Sequence, residues 1–243
     1  KNAKLCLWVL DLWPHSLYAV GYINKNSLLI SAVRSLVKFI YSKCDIILGT
    51  SKSFIHEIKK DSPKDKIIQF FPNSYEELYD VKLSHPAAEL KSKNTDFNII
   101  FAGNLGDAQD FPTILEGMNI LKKYPHIKLY LIGDGKKTHW IKNYIKQNNL
   151  EKTVSLLGRY PSKRMPEFFC HADALLVSLK PHEVFDKTIP GKLQSYLISK
   201  KPILGILGGE GADIIQNINC GILSEPGNSA SFADGVLKLS KMS

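Results

Sequence analysis

The chain has 243 residues, 44% hydrophobic and 23% charged, a globular composition that excludes a disordered or low-complexity chain. Its 32 Lys and Arg against 23 Asp and Glu leave a formal charge of +9, which favours an anionic partner: nucleic acid, an anionic membrane surface or a diphosphate. Cys6, Cys44, Cys170 and Cys220 are scattered without a C-x-x-C pair, which argues against a disulfide framework or zinc site and fits a reducing cytosol.

The length allows one large domain or two. No run of about 18 apolar residues occurs, so no membrane-spanning helix is expected, and no signal peptide is visible. Nucleic acid is disfavoured as the anionic partner. There is no zinc-finger spacing, no RNP-type aromatic motif and no dense basic block. The cations come as singles and pairs, such as Lys59-Lys60, Lys122-Lys123 and Lys136-Lys137, the pattern of solvated helix faces.

In chain order, LCLWVLDLWP reads as a strand ending at Asp11, with Pro14 stopping it. Residues 27–43 carry apolar side chains at helical spacing with Arg34, Lys38 and Lys43 near the polar side. This helix packs on the sheet or lies on a membrane surface. CDIILGTS reads as a buried strand, SKSFIHEIKK as a helix capped by Ser51 or Ser53, and KIIQFFPNS as a further strand with a turn. Residues 80–96 are polar and interrupted by Pro86, as in a linker.

From Phe97 onward, apolar runs at 97–102, 127–132, 153–157, 174–179, 202–207 and 221–224 alternate with helical patterns at 111–123, 136–148, 164–171, 190–199, 212–217 and 229–239. Strands this apolar on both faces, separated by helices, predict a parallel, doubly wound sheet. Ligands in such folds sit outside the carboxyl ends of the strands. The loops there (AGNLGD, IGDG, LGRY, GGEGAD) hold turn glycines but no G-x-G-x-x-G, so a nicotinamide dehydrogenase is not indicated.

The stretch TIPGKLQSYLISKKPIL, 188–204, is the most informative. Pro190 suits the first helical position, and Gly191 keeps the backbone approachable. Lys192 places a cation in the first turn, where the helix end is already positive. An anion in front of the helix makes sense of that arrangement, and phosphate is the obvious one.

In order and spacing this stretch resembles the nucleotide-sugar helix of family-4 retaining glycosyltransferases, which commonly reads P-S-K, an apolar residue or two, E-Y-x-A-x-G-K-P and a strand. D-L-W-P, D-I-I-L-G-T-S-K-S and the strand leading to P-N-S also fall in that family's order. The resemblance implies an α/β fold of GT-B type, two Rossmann-like doubly wound domains of which the N-terminal one is incomplete. Residues 1–80 are then a partial acceptor-side domain, 81–96 a linker, and 97–243 the nucleotide-sugar-binding domain. On this reading the chain is a fragment lacking roughly 100 residues at the front, about one small domain, and its end at Ser243 is early.

The resemblance also implies roles. Lys192 and Gly191 meet the diphosphate, with Gly103 and Asn104 next; the arginine and lysine often found in that first loop are absent, Asn104 and Gln109 standing in their region. Arg159 and Tyr160 fall in the base-binding loop, which usually works through its main chain. The ribose glutamate is replaced by Ser195, with Gln194 beside it. The earlier glutamate of the family's pair, seven residues apart, falls at Lys187. Glu183, in the HEVFDKT loop, is a carboxylate that could approach the sugar, as could His182. Asp11 is a candidate to orient the acceptor hydroxyl, against a plain turn-capping role, with His15 as second candidate; Trp8 and Trp13 read as core and wall aromatics.

No metal and no cofactor beyond the nucleotide-sugar donor, UDP-linked by preference, are expected. The implied activity is transfer of a hexose or N-acetylhexosamine to a glycan or lipid-linked acceptor in surface polysaccharide assembly. The implied setting is cytoplasmic, with peripheral contact at the inner face of the membrane and no nucleic acid. Loss of both glutamates keeps open a GT-B nucleotide-sugar epimerase and a non-catalytic nucleotide-sugar-binding partner.

Overall fold

The computed structural model describes residues 3–21, 23–24, 26–74 and 85–242; the first part of the expected linker, 81–84, lies outside them. The chain forms two compact units. One comprises Lys1–Ser74 with two later segments, His182–Ile189 and Gly209–Gly211; the other comprises Tyr75–Pro181, Pro190–Gly208 and Ala212–Ser243.

The first unit runs β1 (Cys6–Val9), α1 (His15–Ala19), α2 (Leu28–Lys43), β2 (Ile46–Gly49), α3 (Lys52–Asp61) and β3 (Ile67–Phe70), and includes the one-turn helix α7 (Glu183–Asp186). Its strands pair in parallel in the order β1-β2-β3. Alternation sends Leu7, Val9, Ile47 and Ile68 to one face, where they pack with Val37, Tyr41, Phe54 and Ile58 of α2 and α3. The intervening residues leave Trp8 and Ile67 exposed. Serines begin both long helices: Ser27 Oγ accepts from Ile30 N and Ser51 Oγ from Phe54 N, so Ser51 is the cap of α3.

The second unit contains β4 (Phe97–Ala102), α4 (Phe111–Ile120), β5 (Ile127–Ile132), α5 (Thr138–Gln147), β6 (Val154–Gly158), α6 (Met165–Phe169), β7 (Ala174–Ser178), α8 (Lys192–Ile198), β8 (Ile203–Ile206), α9 (Gly209–Asn217, its start in the first unit), β9 (Gly221–Ser224) and α10 (Ser229–Ser240). The strands form one parallel sheet in the order β6-β5-β4-β7-β8-β9. Every residue of β4, β7 and β8 is buried, as a sheet covered by helices on both faces requires. Phe111, Ile114, Leu115 and Met118 of α4 meet Phe232, Ala233 and Val236 of α10 in the main core. Each large side chain fully buried there contributes about 2 kcal/mol. The strand order reverses between β4 and β7, the position where doubly wound folds place ligands.

The predicted strands and long helices are present with shifted ends. The 111–123 pattern resolves into α4 and a 3₁₀ turn over Leu121–Lys123. Helix α8 opens at Lys192, so Pro190 lies before the first helical residue; Gly191 already has right-handed dihedrals, and Leu193 N bonds to Pro190 O. Helix α9 begins at Gly209, three residues before the expected 212. There Gly209 turns the chain with φ 59, and Glu210 places an acid in the first turn.

Candidate functional site

At the end of β4 the chain leaves the sheet through Gly103, whose φ of 141 disfavours any side chain. Its amide bonds to Ile132 O at 2.9 Å, and Gly133 N bonds to Gly158 O at 2.8 Å, so the ends of β4, β5 and β6 stay edge to edge. The Gly103 and Gly133 backbones touch: a Cβ on Gly133 would lie 1.8 Å from Gly103 O. This crest is bare because only glycine fits it.

Helix α8 is fixed to the same crest. Lys192 and Tyr196 are four residues apart and share a face. The buried Tyr196 hydroxyl accepts from Ala102 N at 3.0 Å and donates to Ala102 O at 3.4 Å. One turn earlier, Lys192 extends its ammonium over the Phe101 ring, 3.6 Å from the centroid. A Cβ on Gly103 would be 3.1 Å from that Nζ. The Nζ is buried and has no hydrogen-bond partner. Burial pushes its pKa down to about 7. Phe101 supplies a cation–π contact but accepts none of the three N–H groups. The arrangement suits a negatively charged group that comes to the crest and bonds to the ammonium.

The neighbouring residues are ordered by local bonds. The Gln194 amide, oriented to satisfy its polar atoms, donates to Pro190 O at 3.2 Å and Gly191 O at 2.8 Å, closing the start of α8 on itself. Asn104 is exposed, and Gln109 Oε1 accepts from Gly106 N at 3.2 Å. Ser178 Oγ donates to Gln109 O at 2.7 Å, which ties the loop after β4 to β7. Arg159 is exposed just beyond β6. Tyr160 is packed, its ring 4.9 Å from Phe168 and under the Arg164 guanidinium. Ser195 is half-buried on α8.

The other sequence candidates belong to the first unit. Asp11, exposed, accepts from Trp13 Nε1 at 3.2 Å within its own loop. Glu183 is exposed in the first turn of α7, which His182 caps by accepting from Val184 N. The His182 ring is 6.3 Å from Tyr18, itself 5.7 Å from His15. His15 is half-buried with Nδ1 unpartnered, and burial lowers its pKa against the opposing pull of Glu57 and Asp61. Lys187 Nζ meets Glu57 Oε1 at 3.0 Å.

The second unit thus brings Lys192 to Gly103. Phe101 and Tyr196, which complete that contact, escaped the sequence reading. Phe101 reads as an ordinary strand residue; Tyr196 carried a signal, its four-residue spacing from Lys192. Glu57 sits in an unremarkable amphipathic helix, and nothing in the sequence links it to Lys187. Among the described residues no group of three or more His, Cys, Asp or Glu is placed to hold a metal, and no helix is long and apolar enough to cross a membrane.

The family model for glycosyl transferases group 1 matches residues 96–242. The probable glycosyltransferase WbjE of Pseudomonas aeruginosa is 24% identical over 95% of this chain and 58% of its own length. N-acetyl-alpha-D-glucosaminyl L-malate synthase of Bacillus anthracis is 23% identical over 86% of this chain and 54% of its own. Among solved structures, Anabaena Alr3699/HepE in complex with UDP and glucose superposes with a TM-score of 0.72 at 16% identity, over 97% of this chain and 61% of that one. WaaG, a glycosyltransferase involved in lipopolysaccharide biosynthesis, superposes with a TM-score of 0.77 at 12% identity, over 97% and 65%. At such identities the structural likeness is one of fold. The chain spans about 58% of the length of WbjE and 61% of HepE.

Proposed function

The chain belongs to the glycosyl transferases group 1 family, with an α/β fold of GT-B type, and we propose that it serves transfer of a hexose or N-acetylhexosamine from a UDP-sugar to a glycan or lipid-linked acceptor in surface polysaccharide assembly. The observation that carries this reading is the buried, unpartnered Lys192 ammonium beside Gly103 at the strand-order reversal. A leaving diphosphate develops negative charge, and a fixed cation aimed at it stabilises the transition state. Gly103 and Gly191 let the diphosphate approach the backbone, Asn104 borders it, and no metal or other cofactor takes part. Arg159 and Tyr160 border the base, and Gln194 and Ser195 the ribose, whose binding orients the sugar. Glu183 faces the sugar, Lys187 stands in the same loop, and Asp11 orients the acceptor hydroxyl in a reaction with retention at the anomeric carbon. Support comes from the solved relatives bound to UDP with glucose or GlcNAc.

Calorimetric titration of the chain and of Lys192→Ala with UDP, GDP and ADP tests this. We expect UDP to bind the parent and to lose at least about tenfold in affinity in the variant, the loss of roughly 1.4 kcal/mol. Absence of binding by any of the three sinks the donor-site reading.

A second reading is a nucleotide-sugar-binding partner without turnover. It is favoured by Lys187 and Ser195 at the positions of the expected glutamates, Lys187 being engaged with Glu57. UDP binding without transfer or hydrolysis of any UDP-sugar by the whole protein selects it. The location proposed is cytoplasmic with peripheral contact at the inner membrane face. Helix α2 leaves Leu28, Leu36 and Phe39 exposed, together with the cation Lys43. Co-sedimentation with anionic vesicles, abolished by Leu36→Glu with Phe39→Glu, is the expected result; equal sedimentation of parent and variant removes the membrane contact.

A further inference from the structure

Helix α3 is held by two segments that lie far along the chain yet belong to the same unit. Its first free amides are met from outside: the Glu210 carboxylate accepts from Lys52 N at 2.9 Å and from Ser53 N at 2.5 Å. Its cap does two jobs, since Ser51 Oγ accepts from Phe54 N and donates to Lys187 O at 2.7 Å. One turn further, Glu57 Oε1 receives Lys187 Nζ at 3.0 Å and Lys60 Nζ at 2.9 Å. The two segments also touch each other. Gly209 has φ 59, and a Cβ there would lie 1.8 Å from Asp186 O. The contacts therefore close a ring: α3 to Lys187, Asp186 to Gly209, Glu210 back to α3.

This ring differs from a chance surface ion pair. Glu57 is only 9% exposed and Ser51 fully buried. An exposed pair adds little, whereas removing Lys187 leaves the largely buried Glu57 carboxylate with Lys60 as its remaining cation at a cost in desolvation. Burial opposes ionisation of Glu57, yet the hydrogen bonds from Lys60 and Lys187 outweigh it and hold its carboxyl down at about 2. The held segment carries Glu183, the carboxylate proposed above to face the sugar, exposed in the first turn of α7.

We propose that Glu57 and Glu210 are positioning residues: through Lys187 and the α3 amides they hold the segment 182–189, and with it Glu183, in one seat. The hold itself is independent of any ligand; its consequence for donor binding rests on the function proposed above.

Amide hydrogen exchange of the whole chain without nucleotide tests the hold, comparing the parent with Glu57→Gln, Lys187→Met, the double variant and Glu210→Gln. We expect exchange over 182–189 to quicken about fivefold or more in each single variant, while the amides of β4 and β5 stay protected and report intact folding. The double variant of Glu57 and Lys187 exchanges like Glu57→Gln alone, because that variant already removes the Lys187 bond. Unchanged exchange in the singles, or effects that multiply in the double, overturns the proposal. UDP-glucose titration of Glu57→Gln and Glu210→Gln reads the consequence: affinity falls at least about threefold, and affinity within about twofold of the parent overturns the link to Glu183. A parent that fails to bind UDP counts against the donor-site reading, and the exchange result still decides the hold.

Discussion

Lys192 is the residue on which the proposed donor binding turns, and its state depends on pH in a definite direction. Burial lowers its pKa from 10.5 to about 7. Between those values the unfolded chain holds a proton that the folded chain has released, so this group makes stability rise with pH from about 7 to 10.5. A diphosphate favours the charged lysine and reverses that loss. UDP-glucose binding is therefore expected to take up a proton above pH 7, with affinity falling by up to about tenfold per pH unit between 7.5 and 9. Calorimetry in two buffers of different ionisation enthalpy reads the proton directly, and no buffer dependence rejects the linkage. Gly133→Ala tests the crest: with φ 140 and a Cβ 1.8 Å from Gly103 O, it is expected to cost at least about 2 kcal/mol, read in urea unfolding. Lys192 was legible in the sequence because a cation in a first turn violates a local electrostatic preference. Phe101, its buried partner, violates none and stayed hidden.

Elements carry these residues to each other. The Tyr196 hydroxyl joins α8, which carries Lys192, to the last residue of β4, which carries Phe101, and Tyr196→Phe removes that bond. We expect a loss of about 1 kcal/mol in thermal stability together with weaker UDP binding; a full loss of stability with unchanged affinity shows that the tyrosine supports the fold alone. The strands of the second unit were readable because a doubly covered parallel sheet demands uninterrupted apolar runs. The short helices α1 and α7 were not, since one turn is too brief to display a period. The start of α9 was masked by the glycines of GGEG, which read as a turn until Gly209 is seen to make the turn and Glu210 to enter the helix.

At the scale of the molecule, two later segments return to the first unit and are joined there to α3. The Glu57–Lys187 pair gives that connection a pH signature. Because the folded carboxyl is held at about 2, below its ordinary 4.5, its contribution is complete above about pH 4.5 and disappears as the pH falls toward 2. The stability gap between the parent and Glu57→Gln, on the order of 2 kcal/mol at pH 6, should therefore shrink to roughly a quarter by pH 2.5 in urea unfolding; a constant gap rules the pair out as its source.

The sequence by itself determined the class of fold and the place to look. Apolar runs separated by helical periods demand a covered parallel sheet, and the P-G-K start of one helix points to an anion in front of it. Those demands are local, set by a few residues and their spacing. Only the tertiary structure decided the strand order that puts the reversal between β4 and β7, the meeting of Lys192 with Phe101 and Gly103, and the closing of 182–189 and 209–211 on α3. Each joins residues distant in the chain through packing and desolvation, and those energies exist only once the elements have come together.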